Sequence, residues 1–326
     1  MSEATAPRHL PDRLGSRTKD IVYSRETLLL LVLLAVFTIN SFASPYFLDP
    51  WNLSDATFNF TEKALIALAM ALLIISGEID LSVAAIVALA STAMGYIASI
   101  GGGTGAMVLA GILTGLACGA FNGLLVTRFK LPSIVVTIGT MSLFRGMSFI
   151  VLGDGVFKGY PADFAFFGQG YVWWVFSFEF VFFLCAAAIY AVLLHKTNFG
   201  RLVYAIGNNE TAALFSGVRV ARVKFTLFML TGLMSGIASV MLTSRLGSTR
   251  PSIAMGWELE AITMVVLGGV SILGGSGTIP GVVMHGVVKT AANIDKGWID
   301  CPMEDMLEAR LGRDIVVVND ADAAGV

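Results

Sequence analysis

Long apolar stretches recur along residues 27–283 and are separated by short polar or glycine-rich joints. Several of these stretches approach the roughly 20 residues that an α-helix needs to cross a bilayer. The predicted spans lie at about 27–44, 63–77, 80–100, 105–127, 133–153, 171–194, 223–243 and 261–283. Because a chain in lipid must satisfy its backbone polar groups internally, the expected fold is an all-α, polytopic bundle of about eight transmembrane helices.

The second predicted span is short for a full crossing. It runs into the polar segment 77–82, which lies between two apolar stretches. Transporters tolerate such a break only where the backbone faces protein or water. We therefore expect 63–77 to be a broken or tilted half-helix that runs into this segment.

The composition supports a membrane protein and excludes an ordinary water-soluble domain. Hydrophobic residues make up 56% of the 326 residues, charged residues make up 13%, and the mean hydropathy is +0.79. Such a chain has too little polar surface to cover itself in water. Its net charge of -2, without a basic cluster, gives no reason to expect a nucleic-acid partner.

Basic residues predict the orientation of the spans. The N-terminal tail, residues 1–26, holds five of them, and no cleavable signal peptide is visible there. By the positive-inside rule, this tail lies in the cytoplasm. Counting spans from the tail puts the basic stretch 195–224 on the same side. Arg245 and Arg250 fall outside, so they either have specific partners or show that the span count is wrong.

Glycines mark one face of the fourth predicted span. They recur at every fourth position, which places them on one side of a helix, and the spacing is repeated once in the seventh span. Small residues let a neighbouring helix approach closely within a membrane. We therefore interpret them as packing positions without direct contact to a substrate. They are Gly111, Gly115, Gly119 and Gly123 in span four, and Gly232 and Gly236 in span seven.

The segment Gly77–Val83 places Glu78 and Asp80 between apolar stretches. Carboxylates within a membrane are costly, so they are candidates for a functional site or for buried ion pairs. The sequence Gly-Glu-Ile-Asp-Leu-Ser-Val resembles the Gly-x-Ile-Asp-Leu-Ser-Val motif of the ribose-type ABC permease family. Residues 77–80 and 160–164 are most similar to the rhamnose-type permeases within it. Further segments match the family in order, and they are 131–141, 144–146, 197–201 and 266–278.

This resemblance implies the permease subunit of an ABC importer for a monosaccharide, either rhamnose or a ribose-like sugar. Such a subunit has no ATPase or kinase site of its own and needs no cofactor, because a separate cytoplasmic ATPase supplies the energy. The implied partners also include a periplasmic sugar-binding protein, a second permease copy and the lipid of the bacterial inner membrane. No residue identifies the sugar. For the substrate pathway we select Glu78, Asp80, Ser82 and Arg145.

Residues 205–217 resemble the segment that couples such permeases to their ATPase. Asn208 or Asn209 can cap the start of a short helix, and Glu210 suits its first turn. Gly217 can end that helix, which makes a compact knob. The alternative is a capped helix that only connects two spans. The residues selected for coupling are Asn208, Glu210, Ala213 and Gly217.

Arg145 lies well inside an apolar predicted span. A lone cation there costs at least a few kcal/mol unless it is paired or hydrated. It therefore either contacts a sugar hydroxyl or pairs with an acidic residue. The acidic candidates are Glu62, Glu78 and Asp80.

Two further arginines, Arg245 and Arg250, fall on the predicted outer face. The family resemblance implies a sugar-binding protein that docks on this face. Arginines there would suit acidic residues of that protein, so both are candidates for the docking contact.

Two features that look like enzyme sites are discounted. The glycine-rich segment 274–278 is followed by no lysine and has no strand-then-helix context, so helix packing is favoured over a phosphate loop. His195 and His285 have no His or Cys at ligand spacing, which gives no indication of a metal site. The three cysteines are far apart in sequence and suggest no disulfide framework.

The composition changes after about Val283, where charged residues typical of a soluble protein replace the apolar stretches. Residues 280–326 resemble an internal fragment of ROK-family polyphosphate glucokinases, and 280–283 suit both parent families. In those kinases an Asn-Asp-Ala motif supplies a sugar contact and the catalytic base, which here would be Asn319 and Asp320. The fragment lacks a phosphate loop and is too short to build that fold.

The expected domains are the tail 1–26, a transmembrane permease 27–283 and a glucokinase-like fragment 284–326 that is not an independent fold. A permease of this family should continue with further spans. We therefore expect a C-terminally truncated, chimeric permease with a short soluble tail. Two alternatives to a working permease are an inactive remnant and a membrane-anchored sugar kinase.

Overall fold

The computed structural model describes residues 25–284, apart from Pro45 and Asp154. Within this part, the chain is mostly helical and contains one short β-hairpin. The long helices are α1 (Arg25–Ala43), α2 (Pro50–Ile75), α3 (Val83–Ser99), α4 (Thr104–Arg128), α5 (Ser133–Leu152), α7 (Phe178–Lys196) and α10 (Val220–Leu246). The short elements are a 3-10 turn (Ala162–Ala165), α6 (Phe166–Gln169), β1 (Tyr171–Trp173), β2 (Phe176–Ser177), α8 (Asn198–Asn208), α9 (Glu210–Phe215) and α11 (Trp257–Leu267).

Five of the described helices, α2, α4, α5, α7 and α10, are long and apolar enough to cross a membrane. Helix α3 and the Leu30–Ala43 part of α1 are shorter apolar helices. In α5 and α7 only 28% of the apolar window is buried within the chain, so most of that apolar surface is left for lipid or for another chain. The predicted all-α, polytopic membrane fold is confirmed.

Helix α2 runs through the centre of the bundle. Its residues 64–75 are buried on every side, and the helix packs against α7, α10 and α11. A helix that is apolar all round belongs in an interior. The expectation of a short half-helix is wrong, because α2 is 26 residues long. Asp49 caps its start by accepting a hydrogen bond from the Trp51 N–H, and the polar residues that follow continue the helix.

The predicted break after this helix is observed. Helix α2 ends at Ile75 and α3 begins at Val83. Between them, Gly77 has a φ of +86°, in the left-handed region that glycine adopts most easily. The segment 76–82, which we call the helix break, is therefore a non-helical connection between α2 and α3.

The predicted single span at 261–283 is wrong. Helix α11 ends at Leu267, and helical residues resume only at 279. Gly269, Gly274 and Gly275 lie between them with φ values of +93°, +83° and +75°. A right-handed helix cannot pass through such residues, so the apolar character of the segment does not make it one helix.

The glycine face of α4 packs against α10, as the spacing predicts. A Cβ added to Gly115 would lie 2.3 Å from the carbonyl oxygen of Gly232. A Cβ added to Gly236 would lie 2.9 Å from that of Gly111. These spaces hold no side chain larger than hydrogen, so glycine is what allows the two backbones to approach so closely.

The bundle has two ends, which we name by their elements. At the hairpin end, the β-hairpin lies against the start of α2, where Ser54 Oγ donates to the Val175 carbonyl at 2.5 Å. At the α9 end, the end of α2 lies near α8 and the segment after α11. There the Gly275 N–H donates to the Ile75 carbonyl at 2.9 Å.

Candidate functional site

Asp80 and Ser82 lie in the helix break and are completely buried. One oxygen of Asp80 accepts hydrogen bonds from the Ser82 N–H at 2.8 Å and from the Ser82 hydroxyl at 2.6 Å. The carboxylate therefore orders the last turn of the break just before α3 begins. This pair places a carboxyl and a hydroxyl group inside the bundle at the point where the helix is interrupted.

Asn122 of α4 completes this polar cluster. Its side-chain amide donates to Ser82 Oγ at 2.8 Å and to the second oxygen of Asp80 at 3.4 Å. Asn122 is fully buried, and its own Oδ1 accepts no hydrogen bond from the described residues. Asn122 is not among the predicted site residues, although an amide beside the glycine face of an apolar span was a signal for it.

Glu78 points away from this cluster, toward the α9 end. Its Oε1 lies 2.5 Å from Lys224 Nζ of α10, and Lys224 Nζ also lies 2.7 Å from Glu210 Oε2 of α9. The structure therefore separates the two carboxylates of the motif. Asp80 faces Ser82 and Asn122, whereas Glu78 belongs to an ion-paired group at one end of the bundle. In the sequence, Lys224 contributes only to the basic stretch 195–224 that predicts the orientation.

Helix α9 has the predicted capped form. Asn209 is its N-cap and accepts a hydrogen bond from the Ala212 N–H at 2.9 Å, so Asn209 rather than Asn208 has this role. Ala213 is buried, and Gly217 follows with a φ of +83°. The outward side carries Leu214 and Phe215, whose side chains are 59% and 86% exposed.

The joint between α8 and α9 lies directly on the end of α2. A Cβ added to Gly207 would lie 1.8 Å from the Ile75 carbonyl oxygen. Asn208 Nδ2 donates to the Tyr204 carbonyl at 2.9 Å and to the Gly275 carbonyl at 3.4 Å. Gly274 and Gly275 of the glycine-rich segment are thus packed between the end of α2 and the α8–α9 joint, as the packing interpretation predicts.

Arg145 of α5 binds backbone rather than an acidic side chain. Its Nη1 donates to the carbonyl oxygens of Pro251 at 2.6 Å and Ile253 at 2.7 Å. Of the two alternatives, the ion pair with Glu62, Glu78 or Asp80 is not formed in the described structure, and contact with a sugar hydroxyl stays a prediction. Carbonyl oxygens at short range stabilise the cation instead, and Arg145 holds the segment after α10 against α5.

Arg245 has an internal partner. Its Nε lies 2.7 Å from Glu62 Oε1, and the Glu62 side chain is completely buried. This is the specific partner that the position of Arg245 required, and the docking prediction for Arg245 stays a prediction. Glu179 is also fully buried and lies close enough to interact electrostatically with both charges. Arg250 is exposed, which leaves the docking prediction open for that residue.

A chain of hydroxyls ties elements together near the hairpin end. Thr243 Oγ1 of α10 donates to Ser91 Oγ of α3 at 2.7 Å, and Ser91 Oγ lies 2.7 Å from Thr249 Oγ1. Thr249 is also hydrogen-bonded to the Tyr160 hydroxyl. Burial raises the pKa of Tyr160 to about 12, so this phenol stays protonated at neutral pH. The network joins α3, α10 and the loop after α5.

The predicted vestigial kinase residues, Asn319 and Asp320, lie outside the described residues. So do residues 1–24 of the predicted tail 1–26, and the predicted fragment 284–326 apart from its first residue, Met284. Within the described part, no group of three or more His, Cys, Asp or Glu residues could hold a metal ion.

Comparisons with known proteins identify the family. The family model described as "Branched-chain amino acid transport system / permease component" matches residues 52–306. This match crosses Val283, and the comparisons give no support to the glucokinase-like assignment of residues 280–326. No solved structure matches the chain significantly.

Three curated relatives show how far the similarity extends. The ribose import permease protein RbsC of Bacillus subtilis (strain 168) is 38% identical over 270 residues, which are 81% of this chain and 84% of the relative. The L-arabinose transport system permease protein AraH of Escherichia coli (strain K12) is 35% identical over 272 residues, 82% of each chain. The autoinducer 2 import system permease protein LsrC of Yersinia enterocolitica is 32% identical over 270 residues, 82% of this chain and 74% of the relative.

The family match covers most of the chain, and the structure has the membrane-spanning helices that a permease requires. The chain therefore belongs to the permease family of branched-chain amino acid transport systems, as a subunit of an ABC transporter that is not itself an enzyme.

Proposed function

We propose that this chain is the permease of a bacterial ABC importer for a monosaccharide or a similarly small polyhydroxylated molecule. The family description names branched-chain amino acids, but the three relatives are named for ribose, L-arabinose and autoinducer 2. Those names support a sugar-like substrate over an amino acid. Rhamnose and ribose-like sugars are the first candidates.

The observation that carries this proposal is the contact between the α8–α9 joint and the end of α2. The helix is capped, exposes Leu214 and Phe215, and follows a joint that touches the last residue of α2. A partner that holds α9 therefore acts on the end of the central helix. We assign that partner as the cytoplasmic ATPase, whose cycle of ATP binding and hydrolysis would move α9.

The substrate pathway is assigned to the cluster of Asp80, Ser82 and Asn122. Carboxylate, hydroxyl and amide groups suit the hydroxyls of a sugar, because each can donate or accept a hydrogen bond with them. In the described conformation these three groups bond to one another. Movement of the helix break would exchange those bonds for bonds to substrate. Arg145 is assigned to positioning the segment after α10, and Glu78 to the α9 end.

The distribution of basic residues supports a cytoplasmic α9 end. Arg128 ends α4, Lys196 ends α7, and Arg219 and Arg222 lie at the start of α10. By the positive-inside rule this end faces the cytoplasm, so the N-terminal tail before α1 lies there too. The hairpin end then faces the periplasm, where Arg250 is available to a sugar-binding protein. The apolar surfaces of α5 and α7 would face lipid and a second permease copy.

An uptake assay tests the assignment. Cells that lack this gene are expected to regain uptake of labelled D-ribose, L-arabinose or L-rhamnose with the wild-type chain. They should also regain it with the exposed control Asp163→Asn. Asp80→Asn is expected to lower uptake about tenfold or more at equal protein level, because the bonds that it weakens are those of the moving segment.

Absence of uptake with the wild-type chain and all three sugars would contradict a monosaccharide importer. Full uptake with Asp80→Asn would instead contradict the assigned pathway.

The joined glucokinase-like fragment rests on the sequence resemblance alone. The family match through residue 306 favours neither that fragment nor a remnant or kinase function. Sequencing the source DNA across residues 280–283 tests the junction, and two separate genes there would contradict a natural fusion.

A further inference from the structure

We propose that Lys224 is the positioning residue through which movement of α9 reaches the helix break, an inference that rests on the proposed transport function. Lys224 lies in the second turn of α10, and its side chain is 9% exposed. Its ammonium group bonds at once to Glu78 of the helix break and to Glu210 of α9, at 2.5 Å and 2.7 Å. These three elements are therefore joined by a single charged group.

Each of the two carboxylates is attached to a different element, Glu78 to the helix break and Glu210 to α9. Glu78 directly follows Gly77, and its N–H still donates to the Leu73 carbonyl of α2 at 3.2 Å. Glu210 is the first residue of α9, next to the Asn209 N-cap. A displacement of either element would therefore move its carboxylate relative to Lys224. An ammonium has three N–H donors, which is enough to hold both carboxylates.

The two ion pairs differ in their exposure to solvent. The side chains of Glu78 and Lys224 are 13% and 9% exposed, whereas that of Glu210 is 56% exposed. An ion pair open to water is weak and easily exchanged, and a sheltered one is held more firmly. The Lys224–Glu210 bond is therefore the one that can open during a cycle, and the Lys224–Glu78 bond is the one that persists.

The charges allow the Lys224–Glu210 bond to be either closed or open. With all three groups in contact, two carboxylates share one ammonium. When α9 withdraws Glu210, the remaining Glu78–Lys224 pair is neutral, which a sheltered position at the membrane tolerates. Lys224 can thus be held by α9 in one state and released to Glu78 alone in the other. The position of α9 then decides which contacts constrain the helix break.

The number of sugar molecules transported per ATP hydrolysed tests this role. The measurement uses the complete complex in liposomes, with its ATPase and binding protein, and with whichever of D-ribose, L-arabinose or L-rhamnose the wild type transports best. Values are compared at equal amounts of assembled complex. A residue that only supports folding would lower the amount of complex without changing this ratio.

Lys224→Met is expected to lower the ratio about tenfold, the size of a typical coupling between two sites. Glu210→Gln, which lies at the surface and leaves folding undisturbed, should lower it in the same direction. Lys224→Arg, which keeps the charge, should restore most of it. Arg128→Met is the control, because Arg128 is an exposed cation at the same end and forms no ion pair with the described residues.

A wild-type ratio in both Lys224→Met and Glu210→Gln would overturn the proposal while leaving the transport function intact. An equal loss in Arg128→Met would also overturn it, because the effect would then belong to any cation at this end. Absence of transport by the wild-type complex with all three sugars would contradict the proposed function, and the inference about Lys224 with it.

Discussion

Glu62, Glu179 and Arg245 bring two buried carboxylates and one guanidinium together near the hairpin end. Arg245 bonds to Glu62, while neither oxygen of Glu179 has a hydrogen-bond partner among the described residues. Charges are costly inside a membrane protein unless they are compensated. Arg245 therefore compensates the buried Glu62, with which it forms an ion pair.

Replacing that cation gives a prediction at the scale of the residue. Arg245→Met is expected to lower the free energy of unfolding by about 3 kcal/mol, because it removes the ion-pair partner of the buried Glu62. Adding Glu62→Gln should recover part of the loss. Thermal unfolding of the purified protein in detergent measures both effects.

Arg250→Met is the matched control, since Arg250 lies five residues further along and is exposed. Its effect should stay within about 0.5 kcal/mol. Equal losses in the two arginine variants would contradict an internal role for Arg245.

Some residues of the site could be predicted from the sequence, and others could not. Asp80 and Ser82 belong to a recognisable motif, and the helix break around them is signalled by carboxylates in an apolar context. Asn122 and Lys224 carry no local motif, because their importance comes from contacts with segments at least 40 residues away. Arg145 was recognised as unusual, but its carbonyl partners depend on a loop whose path hydropathy does not specify.

At the scale of the element, the contact between α4 and α10 depends on glycine. The carbonyl oxygen of Gly232 occupies the space that a Cβ of Gly115 would need. Gly105 lies in the same helix, but a Cβ there would meet nothing within 4 Å. The two positions therefore separate the packing role of glycine from its effect on helix formation.

Gly115→Ala is expected to cost about 2 kcal/mol or more, since the added methyl group must push the two helices apart. Gly105→Ala should be neutral or stabilising by up to about 1 kcal/mol, because alanine favours a helix more than glycine does. Unfolding in detergent measures both. Equal effects of the two substitutions would show that the close contact is not what Gly115 provides.

The pattern of apolar stretches predicted most helices but not all of their limits. It set α2 too short, because polar residues between Pro50 and Lys63 looked like a joint although they continue a capped helix. It set the last described span too long, because hydropathy does not detect the positive φ angles of Gly269, Gly274 and Gly275. Both differences arise from backbone geometry, which the polarity of the side chains records only indirectly.

At the scale of the whole molecule, two groups of contacts hold the ends of the same bundle. Near the hairpin end, hydroxyls tie α3 to α10 and the loop after α5. At the α9 end, Gly207 of α8 packs on the end of α2, and Lys224 joins α10 to α9 and to the helix break. A permease must open at one end while it stays closed at the other. The central helix α2 and helix α10 run between these two groups of contacts.

The coupling role of α9 is the central claim, and sugar-stimulated ATP hydrolysis by the reconstituted complex tests it most directly. Phe215 is 86% exposed on α9, and its replacement should not disturb folding. Phe215→Ser is expected to lower stimulated hydrolysis about tenfold, by removing an apolar anchor for the ATPase. Ile100→Ser, at an exposed position at the other end, should keep the wild-type rate. Wild-type rates in both variants, or equal losses in both, would contradict the account.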